Sequence, residues 1–324
     1  MMRTVQPLEE VKKKDFLSVL DFQPVELERC LDLAAQLKRE HKLGRRATTP
    51  GPLANLQVAL LFDKPSLRTR TTFEVAIRLL GGAVVTLPPD VALGSREPAA
   101  DVARNLERWV DAAVIRTSSH ATMVEFAMAA PRLHVINALT DEEHPCQALA
   151  DFLTLREHWR SWQGHTLAFV GDGNNVATSL AHASAMLGMS FRIASPEGYE
   201  LPSRVLAECR GVARPGADIR LFTDPVEAVR GADAVYTDVW TSMGQEAESE
   251  KRRRAFAGYQ VNEELLRHAR PGALFMHCLP AKRGEEVTAD VLESPVSVVF
   301  DQAENRLHTQ KALLMMLLGG SLQR

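Results

Sequence analysis

The 324 residues carry 38 basic and 41 acidic side chains, a formal net charge of −3, and are 45% hydrophobic and 24% charged. This balance is ordinary for a folded globular protein. It excludes a global pull toward nucleic acid or a membrane surface, so any anion recognition must be local.

The length favours two hydrophobic cores over one. The four cysteines, Cys30, Cys146, Cys209 and Cys278, are scattered and form no CxxC pair. That pattern points away from a disulfide framework or a zinc site and toward a reducing, cytosolic setting. The opening MMRTVQPLEEVKKKDF mixes charges early and has no apolar run, so it does not read as a signal peptide. The late apolar run ALLMMLL is too short to span a bilayer.

In chain order, strand-like runs alternate with helix-period segments. The first half offers VALLF (58–62), AVVTL (83–87), AAVIRT (112–117) and HVINAL (134–139). Between the first two lies RTTFEVAIRLLGG, where Phe73, Ile77 and Leu80 share one helical face before a glycine stop. The second half offers LAFVGDG (167–173), SFRIASP (190–196), ADAVYTDVW (232–240) and ALFMHCLP (273–280). HPCQALADFLTLREHWRSW separates the two groups and reads as a helix, with Pro145 in its first turn and an apolar stripe of Ala148, Leu149, Phe152, Leu153 and Leu155. The rhythm predicts an α/β protein with two doubly wound parallel-sheet domains joined by interdomain helices. Residues 1–145 form the first and 146–324 the second, with a C-terminal helix in ENRLHTQKALLMMLL packing back on the first domain. The charge run EAESEKRRRAF reads as a solvated helix face, with Glu248–Arg252 and Glu250–Arg254 as i,i+4 pairs.

Chemistry concentrates at strand ends. SLRTR (66–70) follows the first strand, with Ser66 expected as the N-cap and Leu67, Arg68 and Thr69 opening the helix. Free N–H groups and the positive end of the helix dipole favour an anion there, against the alternative of a capped, solvated helix end. Arg116 ends another strand, and His144 and Gln147 open the interdomain helix. Carboxyl edges of open α/β sheets are where ligands gather. In the second half, GDGNNV partly matches a dinucleotide fingerprint, with Glu197 as the ribose acid, but Val176 or Ala177 stands where a third glycine is needed. Asn174 and Asn175 suit a polar substrate head, Asp238 suits an ammonium, and Cys278 ends a strand without a partner base.

In this order, SLRTR, IRT, HPCQALAD, GDGNNV, DVWTSMGQE, HCLP and FDQAENRLHTQKAL resemble the aspartate/ornithine carbamoyltransferase superfamily from about residue 15 to the C-terminus. DxxxSMG with HCLP resembles the ornithine branch. The resemblance implies carbamoyl transfer from carbamoyl phosphate to the δ-amine of L-ornithine, with no metal or organic cofactor and a homotrimer or assembly of trimers. It implies that Ser66, Leu67, Arg68 and Thr69 hold the phosphate, and that Arg116, His144 and Gln147 hold and polarise the carbamoyl end. Arg306 reaches back to the same substrate, and Cys278 and Leu279 lie beside the attacking amine. Asn175, Asp238, Ser242 and Met243 receive the amino-acid head. Arg68, Arg116, His144 and Cys278 form the implied catalytic set.

Three positions depart from the family pattern: Leu67 replaces a hydroxyl, Ala92 a polar residue lent to a neighbouring subunit, and Lys282 a histidine. The alternatives are carbamoylation of an N-acylornithine, an NAD-dependent dehydrogenase using GDGNNV, and a non-catalytic regulatory homologue.

Overall fold

The apolar runs become strands that pair only in parallel, in two separate sheets. The computed structural model describes residues 15–44, 50–89, 93, 96–241 and 246–319. In the first sheet β1 (Gln57–Phe62), β2 (Ala83–Thr86), β3 (Ala112–Arg116) and β4 (His134–Leu139) lie in the order β2-β1-β3-β4. In the second, β5 (Thr166–Val170), β6 (Ser190–Ala194), β7 (Asp218–Phe222), β8 (Ala234–Thr237) and β9 (Leu274–His277) lie in the order β7-β6-β5-β8-β9. Parallel strands need crossovers, and helices supply them. The longer ones are α1 (Pro24–Lys42), α2 (Arg68–Leu79), α3 (Ala99–Leu106), α4 (His120–Ala129), α5 (Pro145–His158), α6 (Asn175–Leu187), α7 (Ser203–Val212), α8 (Ser249–Ala255) and α9 (Val299–Leu318).

Side-chain alternation along a strand sends neighbours to opposite faces. Val58, Leu60 and Phe62 of β1 join the core that contains Phe73 and Ile77 of α2. Ala59 and Leu61 join a second core with Val102 of α3 and Met123 and Phe126 of α4. A third core lies on one face of the second sheet, where Val170, Val235 and Phe275 meet Val291 and Val299.

Two features depart from the sequence expectation. DIRLF forms β7, an edge strand paired only with β6, and its alternating charges hide it from an apolar-run search. Helix α5 is buried on every side from Pro145 to Leu155, wider than a stripe. It lies between the sheets, packed by β4, α1, α6 and α9. A helix with neighbours all round has no solvent face to signal its period. The C-terminal α9 packs on α1, α2 and α5, returning the end of the chain to the first domain. Among the described residues no helix is long and apolar enough to cross a membrane.

Candidate active site

The strand orders locate the site before any side chain is considered. From β1 the chain moves outward to β2, then returns to β3 on the other side; from β5 it moves to β6 and β7, then returns to β8. Each reversal opens a crevice at the carboxyl ends of two adjacent strands. SLRTR follows β1 and Arg116 ends β3, so both edge the first crevice. GDGNN follows β5 and Asp238 follows β8, so both edge the second.

In the first crevice, α2 begins at Arg68 with Leu67 at the cap position. Ser66 is therefore not the cap expected from sequence; its hydroxyl accepts a hydrogen bond from Arg116 Nη1 at 3.2 Å. The β3–β4 register shifts between Ile115 and Arg116, so that Ile115 faces Asn137 and Arg116 faces Leu139. A bulge of this kind re-aims a strand-end side chain. Thr69 accepts from Arg306 Nη2 of α9, while Arg306 Nη1 donates to Gln147 Oε1 at 2.7 Å. The loop before α5 is pinned from the second domain: His144 N–H donates to Ser179 Oγ at 3.0 Å, and Ser179 Oγ donates to the buried Glu143 at 2.9 Å. Leu67 is 77% exposed, so its departure from the family hydroxyl leaves an apolar side chain at the mouth of this crevice.

Arg68, Arg116 and Arg306 converge closely enough to disfavour one another's charge. Burial holds the Arg116 guanidinium down to about 10, with Arg306 and Arg68 adding to the effect. Burial also lowers Arg306, with Arg68 contributing. Among the described residues neither Arg68 nor Arg306 has a carboxylate at ion-pair distance. His144 is pushed well below the usual imidazole range, first by burial and then by Arg306, Arg116 and Arg68, so the ring is neutral at physiological pH. Its Nδ1 is buried with no partner among the described residues. Converging, weakly hydrated cations beside an unpartnered ring nitrogen suit a small dianion with a polar head.

In the second crevice, Asp238 is the hub. Its Oδ1 accepts from Cys278 Sγ at 3.0 Å and from Val239 N–H at 2.8 Å, and its Oδ2 accepts from Asn174 Nδ2 at 2.8 Å. Burial, then Asp238, pushes the Cys278 thiol well above its usual value, so it is a donor rather than a nucleophile. The turn after Cys278 is fixed from beneath. Leu279, at φ +58°, donates its N–H to His277 Nδ1 at 2.8 Å. The other nitrogen of His277 therefore carries the proton, toward the buried Glu286 at 3.2 Å. A left-handed leucine is costly and persists only where its surroundings hold it.

Asp238, His277 and Cys278 place three potential ligand atoms within 4.8 Å of one another. Each is already engaged in the bonds just described, which tie Asp238 to Cys278 in one relay and His277 to Leu279 and Glu286 separately, rather than leaving an open metal cage. Asn175, expected beside Asp238, instead donates to the Thr140 carbonyl of the first domain. Ser242, Met243 and Ala92 lie outside the described residues. Lys282 is exposed, with Nζ 3.7 Å from Glu285.

The dinucleotide alternative fails on local geometry. Asn174 Oδ1 caps α6 by accepting from Val176 and Ala177 N–H at 3.0 and 3.1 Å, which occupies the donors a pyrophosphate would use. Gly173 is required for another reason, since a Cβ there would lie 2.4 Å from the Glu200 backbone. β6 ends at Ala194, short of Glu197, which is exposed.

The charge run at 246–256 hides a residue that sequence reasoning missed. Both i,i+4 pairs form, but Arg252 is buried rather than solvated. It donates to Asp172 Oδ2 at 2.7 Å and to the Trp240 carbonyl at 3.0 Å, with its guanidinium over the Tyr199 ring. No local signal separates Arg252 from Arg253 and Arg254, because the partner carboxylate lies 80 residues away. Arg252→Met strands Asp172 without its counter-ion, and is expected to lower the unfolding free energy by about 3 kcal/mol. Urea titration is the check; an unchanged midpoint and slope would show that the pair does not brace this loop.

Both halves of the chain match known proteins. Residues 14–157 match the sequence profile described as aspartate/ornithine carbamoyltransferase, carbamoyl-P binding domain, and residues 163–317 match the profile for the Asp/Orn binding domain. An ornithine carbamoyltransferase of Symbiobacterium thermophilum is 52% identical over 310 residues, covering 95% of this chain and 99% of that one. The solved ornithine carbamoyltransferase of Pyrococcus furiosus superposes with a TM-score of 0.90 at 47% identity, over 95% of this chain and 97% of that one. The Thermus thermophilus enzyme gives 0.84 at 48% identity, over 94% and 99%.

Proposed function

The chain belongs to the aspartate/ornithine carbamoyltransferase family, and from that premise we propose how it works. It is a carbamoyltransferase that joins carbamoyl phosphate to L-ornithine and releases L-citrulline and phosphate. The observation that carries this reading is the pairing of a tri-arginine crevice at the β1/β3 switch with an Asp238-centred crevice at the β5/β8 switch. One suits a phosphate and the other an ammonium group.

Ser66, the Leu67 N–H, Arg68 and Thr69 take the phosphate at the α2 N-terminus. Arg116 and neutral His144 donate to the carbamoyl oxygen, where negative charge grows as the amine attacks. Donors placed before the reaction stabilise that charge without reorganising. Gln147 Oε1, already turned toward Arg306, accepts from the carbamoyl NH2. Asp238 meets the α-ammonium of ornithine, with Asn174 hydrogen-bonded beside it, while Asn175, Ser242 and Met243 are assigned to the amino-acid head by motif alone. The δ-amine attacks the carbamoyl carbon, the C–O bond to phosphate breaks, and phosphate leaves with both electrons of that bond and takes up the proton that the nitrogen gives up as the new C–N bond forms. Holding both substrates between two domains supplies orientation. We place the domain boundary at the start of α5 and take the working form to be a homotrimer, which a light-scattering mass of one chain would contradict.

The attacking amine is protonated at neutral pH and must shed its proton. Because His144 stays neutral well below the usual imidazole range, the rising limb of the pH–rate profile belongs to the attacking amine. Cys278→Ala is expected to lower kcat about tenfold and to move that limb. A profile of unchanged shape and position would mean that the thiol takes no part in proton transfer. The direct test of function offers carbamoyl phosphate with ornithine, Nα-acetylornithine or aspartate and assays each carbamoylated product. Folded protein that forms no citrulline would sink the assignment.

A further inference from the structure

Asp151, one turn after Gln147 on α5, is fully buried, and its role is unassigned in the reaction above. Its Oδ1 accepts from Gln147 Nε2 at 2.7 Å and from Gln302 Nε2 at 2.8 Å, and its Oδ2 faces the Tyr236 hydroxyl at 3.1 Å. Among the described residues no cation lies at ion-pair distance from it. A buried carboxyl without a counter-ion is a poor choice for stability alone, where an apolar residue of similar volume serves better.

The three partners lead to both crevices. With its Nε2 held by Asp151, Gln147 must present Oε1 to Arg306 and the first crevice; turned the other way, it would set oxygen against oxygen. Gln302 is held in the same sense, and its Oε1 accepts the backbone N–H of His277 at 3.0 Å, the residue before Cys278. Tyr236 lies two residues before Asp238 on β8. One side chain thus sets the polarity of two amides and touches the strand that presents the ammonium-binding carboxylate.

We propose that Asp151 is a positioning residue that holds the two half-sites in register, orienting Gln147 toward carbamoyl phosphate and setting the strand ends that carry Cys278 and Asp238. The inference rests on the carbamoyl phosphate reading of the first crevice. Burial pushes the Asp151 carboxyl up to about 7 in spite of its three partners. Either protonation state serves: Oδ1 accepts from both amides throughout, and Oδ2 either accepts from Tyr236 or donates to it. Geometry, not charge, is what the residue contributes.

A double-mutant cycle on the full-length protein separates this from a general structural role. Calorimetry measures carbamoyl phosphate binding, which does not depend on turnover, and steady-state assays give kcat and KM for ornithine. Asp151→Leu is expected to weaken carbamoyl phosphate binding about 30-fold in the wild-type background and at most about threefold in a Gln147→Ala background. Asp151→Asn, whose oxygen accepts from both amides while its NH2 donates to Tyr236, is expected to recover binding and ornithine KM to within about threefold. Equal losses in both backgrounds, or an Asn variant as impaired as the Leu variant, would overturn the proposal. Should Asp151→Leu not fold, Asp151→Ser, which leaves room for water, goes through the same cycle with the same expectations. Wild-type protein that binds no carbamoyl phosphate would overturn the family-based reading, and this inference with it.

Discussion

Arg68→Ala lowers kcat/KM for carbamoyl phosphate by about 10³-fold while the protein stays folded. The expectation follows from where Arg68 sits. It is the first residue of α2, so its guanidinium adds to the free N–H groups and positive dipole end already facing the crevice. Burial disfavours its charge, and no carboxylate among the described residues pairs with it. Such a cation is a liability in the empty protein and an asset once a dianion arrives. Removing it should leave stability unchanged or slightly raised, because Arg116 and Arg306 lose a repulsive neighbour. Phosphate gains charge as it departs, so the loss falls on kcat as well as on binding. Arg68→Lys keeps the charge but not the planar fork, and about 30-fold of the loss should remain. Steady-state kinetics and urea unfolding test both halves. A loss in kcat/KM below tenfold, or a collapse in stability, would contradict this account.

Much of the fold and half of the site were legible in the sequence because they depend on local pattern. Strands β1, β3, β4 and β5 are apolar runs buried on both faces. The residues that edge the crevices follow directly from where those runs stop. What escaped depends on long-range pairing. β7 is charged because it is an edge, and Arg252 looks like its arginine neighbours until Asp172 is brought against it. Ser66 looks like a cap, yet the bulge at Arg116 brings a guanidinium to its hydroxyl. Asn175 and Asn174 are indistinguishable in sequence; only the path of the turn sends Asn174 to Asp238 and Asn175 to Thr140. Asp151 is hidden for a related reason, as an acid on a helix normally reads as a solvent-facing residue.

Asp238→Asn is expected to lower kcat/KM for ornithine by about 300-fold and to leave carbamoyl phosphate affinity within about threefold, because an ionic contact and its supporting bonds fail together. The carboxylate accepts from three donors at once: the Cys278 thiol, the Val239 N–H and the Asn174 amide. An Asn side chain has one oxygen, so its NH2 must face either the Asn174 NH2 or the Cys278 and Val239 donors. Charge is lost toward the substrate, and at least one bond within the relay is lost with it. The same residue decides substrate choice. Acylating the α-amine removes the ammonium that Asp238 meets, so the wild-type protein should discriminate strongly against Nα-acetylornithine. Asp238→Asn should narrow that ratio by weakening ornithine far more than the acylated compound. Kinetics with both amines, beside carbamoyl phosphate titrations, give the result in one series. If both amines lose equally, Asp238 supports the fold of the crevice without reading the ammonium. If carbamoyl phosphate binding falls in step, the two crevices are not the separate half-sites their switch points imply.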